Sequence, residues 1–85
     1  MNTYTKPRRP RRADVQLAKL RWLWFRMSKL ERDVWCEIFS LDVPPLIIAW
    51  LIRHELNVKL RSEAQLLRFM RWVLEFEEAM QLRNN

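Results

Sequence analysis

Glycine is absent from this chain of 85 residues. Every reversal must therefore use a residue that resists positive φ, which disfavours tight hairpins. The same absence excludes the phosphate loops of P-loop and dinucleotide-binding proteins, whose backbones need several glycines to approach the phosphate. Cysteine occurs once, at Cys36, so no internal disulfide can form and the fold does not depend on an oxidising compartment. Long apolar runs are missing as well. The longest, Val43 to Ile52, contains two prolines and falls far short of the ~20 residues that span a bilayer. The basic N-terminus is not followed directly by the apolar stretch of a secretory signal. A cytoplasmic or nucleoid-associated location without membrane contact is the default expectation.

What the chain does have is bulk. Five Trp and four Phe join many Leu and Ile. A chain of this length makes one compact domain, which buries only about 60% of the surface its unfolded form exposes, so large apolar groups must pack efficiently. The expected fold is all-α, a small bundle of about four helices spanning residues 13–85, preceded by a flexible basic arm at residues 1–12.

The net charge of +6 is unevenly placed. Lys6, Arg8, Arg9, Arg11 and Arg12 give the first dozen residues +5 with no acid, and the remainder carries only +1. Up to residue 32 there are ten bases against two acids. Pro7 and Pro10 restrict their predecessors and the arginines repel each other, so this segment reads as extended and solvated. Arginine forks match phosphate oxygens, and such arms follow nucleic-acid backbones or enter minor grooves. A solubilising tail or a contact for an acidic protein are the other readings.

Four helices follow from periodicity. The first, from Ala13 or Asp14 to Met27, carries two apolar stripes on roughly opposite sides. One is Val15, Ala18, Trp22 and Phe25; the other is Leu17, Leu20, Trp24 and Met27, with Lys19 and Arg26 on one edge and Arg21 on the other. One stripe must pack inward. Leu17, Leu20, Trp24 and Met27 are the expected interface for a larger protein or a second copy of the chain. Ser28 with Glu31 makes a capping pattern for the second helix, whose core stripe is expected at Leu30, Val34, Ile38 and Leu41, widened by Trp35 and Phe39. Pro45 to Leu56 has no polar face until Arg53, His54 and Glu55, which predicts a central, buried helix ended by Asn57. Ser62 with Gln65 repeats the capping pattern and starts a fourth helix that runs to about Leu82, with Leu66, Phe69, Met70, Val73, Phe76 and Met80 inward.

Catalytic chemistry finds little footing here. His54 and Cys36 lack an orienting third group, and metal sites need several ligands at close spacing. His54 suits the carbonyl end of a helix, and Glu77 and Glu78 read as solvated surface. No catalytic residue, metal ligand or cofactor is expected.

The expectation is a non-enzymatic accessory or regulatory protein that binds DNA or RNA. Its phosphate contacts would be Lys6, Arg8, Arg9, Arg11, Arg12, Lys19, Arg21 and Arg26. Three helices after a basic arm also resemble the layout of three-helix DNA readers, in which Lys59, Arg61, Gln65, Arg68 and Arg71 would face the duplex. A second form of the reading has aromatics of the first helix stacking bases of a single strand. The rival class is a small helical inhibitor or adaptor docking on a larger protein through an exposed aromatic face.

Overall fold

Two serines open helices as their spacing predicts. Ser28 stands in extended backbone (φ −67°, ψ 162°); its hydroxyl accepts from the Glu31 N–H and donates to the Glu31 carboxylate, each at 3.2 Å. The Ser62 hydroxyl accepts from the Gln65 N–H at 3.2 Å, and the Gln65 side-chain oxygen accepts from the Arg61 N–H at 2.6 Å. Both arrangements satisfy backbone donors that a first helical turn leaves without partners.

The computed structural model describes residues 12–84. They form α1 (Arg12–Arg26), α2 (Lys29–Ser40), α3 (Pro45–Leu56) and α4 (Glu63–Asn84), and no strand occurs among the described residues. The fold is all-α, with four helices. The arm residues 1–11 lie outside the described residues, and Arg12, assigned to the arm, is already the first residue of α1.

The turns show how a chain without glycine reverses direction. Only Met27 and Ser28 separate α1 from α2. Leu41 ends α2 in extended backbone, and Pro44 and Pro45 set the entry to α3. Left-handed backbone occurs among the described residues at Asn57 (φ 55°, ψ 38°), whose N–H caps α3 by donating to the Arg53 carbonyl at 3.1 Å. Asparagine tolerates this conformation better than any β-branched residue would.

The centre of the bundle is α4, not α3: α1, α2 and α3 all pack against it. The apolar run does not make α3 a wrapped helix, because only Ile48 and Ile52 are buried, while Leu46, Ile47 and Trp50 face outward. A helix that touches the core along one stripe needs only two or three inward side chains, whatever its outer face carries. In α2 the core is met by Trp35 and Phe39, which the sequence places at the margin; Leu30, Val34 and Leu41 of the expected stripe are exposed. The larger rings win the inward positions because they remove more apolar surface from water.

The core is aromatic. Trp24, Phe39 and Phe69 form a mutual cluster with ring centroids 6.1–6.3 Å apart, and Trp35 extends it from Phe39 at 5.9 Å. Leu17, Leu20, Met27, Ile48, Ile52, Val58, Leu66 and Val73 fill in around them. No described helix is long and apolar enough to cross a membrane.

Candidate nucleic-acid interface

The two stripes of α1 are resolved by the fold. Leu17, Leu20, Trp24 and Met27, expected at a partner interface, are buried within the chain itself, and Trp24 has no exposed surface. The reason is volume. This stripe offers four large side chains, whereas the other includes Ala18 and Val15, and each large aliphatic group gains about 1.5–3 kcal/mol on burial. Trp24 also finds a partner for its polar atom. Its indole N–H donates to the Glu77 carboxylate at 3.2 Å. The opposite face of α1 is the one left exposed.

That face is exposed and ordered by its own contacts. Val15, Trp22 and Phe25 lie outward, with Trp22 at 54% and Phe25 at 58% exposure. Lys19, Arg21 and Arg26 are exposed around them. The Arg26 guanidinium sits over the Trp22 ring at 4.7 Å, and that of Arg21 sits over Trp72 of α4 at 5.5 Å. Phe25 meets Trp72 and Phe76 edge-on, with centroids at 5.7 and 5.1 Å, and these two α4 rings stack on each other at 5.1 Å. Trp72 in turn stacks on the core ring of Phe69 at 6.1 Å. A surface of rings and guanidinium groups is thus anchored to the core rather than hung on mobile side chains.

Trp72 is absent from the stripe expected on α4, although its spacing carries a signal. Phe69, Trp72 and Phe76 are spaced by three and four, which puts all three rings on one side of α4.

The charge around this surface is one-sided along α1 beyond Asp14, since Val15 to Arg26 contains no acid. Along α4 it is mixed, because Glu75 and Glu78 are exposed beyond Trp72. An anionic backbone is favoured over α1 and disfavoured along α4. Of the expected phosphate contacts, Lys19, Arg21 and Arg26 share this surface. Lys6, Arg8, Arg9 and Arg11 lie outside the described residues, and for Arg12 only the backbone is described.

The alternative alignment, with the start of α4 reading a duplex, loses a key residue. Gln65 is buried and its oxygen is committed to the Arg61 N–H, so it cannot reach a base edge. His54 and Cys36 occupy different surroundings. His54 is exposed and stacked on Trp50 at 5.0 Å, whereas Cys36 is half-buried on α2. Burial, followed by the carboxylates of Glu77 and Asp33, pushes the Cys36 thiol above its usual range. Among the described residues, no three His, Cys, Asp or Glu side chains are grouped as metal ligands.

Comparison of the chain with models of known families, with curated proteins and with solved structures finds no match.

Proposed function

We propose that this protein is a non-enzymatic nucleic-acid-binding accessory protein whose contact surface is the outer face of α1 together with the basic arm that precedes it. The observation that carries the reading is the exposed rings of Trp22 and Phe25 set among guanidinium groups, with Arg26 over Trp22 and Arg21 over the half-buried Trp72. Bases stack on exposed aromatic faces regardless of sequence, at about 1–3 kcal/mol each, while arginines follow the backbone. The five bases among residues 1–12 add positive charge to the same end of the sequence. Stacking requires unpaired bases, so the reading favours single strands over duplex.

The test is a titration of the full chain against fluorescein-labelled single strand and duplex of equal length, read by anisotropy at several salt concentrations. Tighter binding to the single strand, weakening steeply with salt, is expected. No binding to either form at low salt would end this reading.

The adaptor reading finds separate support in the groove between α2 and α3. It is lined by Leu30, Val34, Trp35, Ile38, Leu51 and Leu56, encloses about 460 Å³, and has Glu31 and Glu55 at its edges. An apolar lining with acids and no base fits a basic, apolar segment of a protein partner. A pull-down that retains such a partner and loses it in Val34→Glu would favour this second role.

A further inference from the structure

The outer face of α3 carries a second combination of aromatic rings and bases. Leu46, Trp50, Arg53, His54 and Asn57 recur at spacings of three and four, so they share the side of α3 opposite Ile48 and Ile52. Trp50 is 59% exposed, and the His54 ring lies nearly parallel to it, 5° apart in plane. Beside this pair a shallow hollow of about 350 Å³ is lined by Trp50, Arg53, His54 and Asn57. A second hollow of about 200 Å³ continues from it to Lys59 and Leu60.

From these features we infer that the Trp50–His54 pair is a second stacking platform, which takes a nucleobase of a single strand while Arg53 and Lys59 hold the adjoining phosphates. This rests on the nucleic-acid reading above and adds a contact point on a different helix. Three observations favour it. Core packing does not account for Trp50, since the burial of α3 is carried by Ile48 and Ile52. The imidazole, stacked on one side of the indole, holds that ring in place, and the 59% exposed indole offers a flat surface that suits a base better than an aliphatic chain. The charge is suited to an anion, because the two hollows are lined by Arg53 and Lys59 and by no carboxylate. Glu55 lines the groove toward α2, and Glu63 lies one groove further along, beside Arg61.

Helix polarity sets where the phosphate sits. The carbonyl end of α3 is at Asn57, and a helix C-terminus repels anions within its last turn. The phosphate contacts therefore fall to the ends of the long Arg53 and Lys59 side chains, with the base over the rings. With one platform on α1 and another on α3, both helices packed on α4, a strand long enough to reach both binds more tightly than either contact alone, through effective concentration.

The indole N–H signals of the ¹⁵N-labelled full chain test this directly, with a thymidine 20-mer as the probe and an abasic strand of equal length and poly-glutamate as controls. Trp50 is expected to shift upfield with the 20-mer and to shift little with either control, because only bases supply a ring current. Trp50→Ala is expected to weaken 20-mer binding by roughly fivefold or more, with an unchanged circular dichroism spectrum. Arg53→Gln with Lys59→Gln is expected to weaken the 20-mer and the abasic strand alike. A shift at Trp22 with none at Trp50 overturns the second platform and leaves the α1 surface standing. A shift at Trp50 with none at Trp22 supports the platform and removes the α1 reading, and silence at both ends both. Equal Trp50 shifts with poly-glutamate overturn base stacking in favour of an acidic protein partner.

Discussion

The indole N–H of Trp24 donates to the carboxylate of Glu77 across 53 positions of sequence, tying α1 to α4 at 3.2 Å. The other carboxylate oxygen lies 3.7 Å from Arg32 Nε of α2, and Arg32 reaches back to the Met27 carbonyl at 3.5 Å. One half-buried glutamate thus joins three helices where α1 turns into α2. Glu77→Leu is expected to leave the Trp24 N–H and the Arg32 guanidinium without this acceptor, costing about 1–3 kcal/mol. Chemical denaturation measures the loss. Adding Arg32→Met should recover part of it, because the double variant leaves no unpaired charge.

The resolution of the two α1 stripes predicts opposite outcomes at neighbouring tryptophans. Trp24→Glu places an unpaired charge in the core and should abolish the folded helical spectrum. Trp22→Glu should keep the spectrum and the thermal midpoint within a few degrees, since its ring is exposed. Equal destabilisation by both would show that both stripes pack inward.

The orientation of α3 is tested in the same way. Ile48→Asp should unfold the domain, since Ile48 is buried, whereas Leu46→Asp, at a position 81% exposed, should be tolerated. Tolerance of Ile48→Asp, shown by an unchanged melting transition, would refute this register.

Cys36 should react slowly. Burial and neighbouring carboxylates favour its thiol over its thiolate, so at pH 8 the folded chain holds less of the reactive form than the unfolded one. Iodoacetamide labelling followed by mass spectrometry should be several-fold slower in buffer than in urea, with the difference shrinking as pH rises through the folded thiol's raised range. Cys36→Ser should leave nucleic-acid binding unchanged.

Helix number, order and most ends were legible because they depend on local chemistry: Ser28, Ser62 and Asn57 act within a turn of themselves. Which face turns inward was less legible. The two α1 stripes have the same spacing, and only the neighbours supplied by α4 decide between them. The run from Leu46 to Ile52 suggested a wrapped helix because periodicity records hydrophobicity without recording how many sides a small bundle can cover. Glu77 was hidden for a similar reason. Its sequence neighbours are those of a solvated helix, and only tertiary packing brings Trp24 and Arg32 to it. The bases of α1 could be listed from the sequence, and Arg26 stands four residues after Trp22 on one helix, but the pairing of Arg21 with Trp72 required the fold.

The arm and α1 should contribute differently to binding. Replacing Lys6, Arg8, Arg9, Arg11 and Arg12 with Gln should lower the log–log salt slope on single strands by at most about 3.5, at roughly 0.7 per lost contact. The preference for single strand over duplex should survive, because the rings remain. Salt-series anisotropy gives both quantities.

The most direct measurement is the affinity of a labelled single strand for the chain carrying Trp22→Ala, Arg21→Gln and Arg26→Gln, compared with the unaltered chain at one salt concentration. The account predicts a loss of roughly tenfold or more, together with loss of the preference over duplex and an unchanged helical spectrum. Unchanged single-strand affinity in a folded variant would contradict it, and would remove the outer face of α1 as the contact surface.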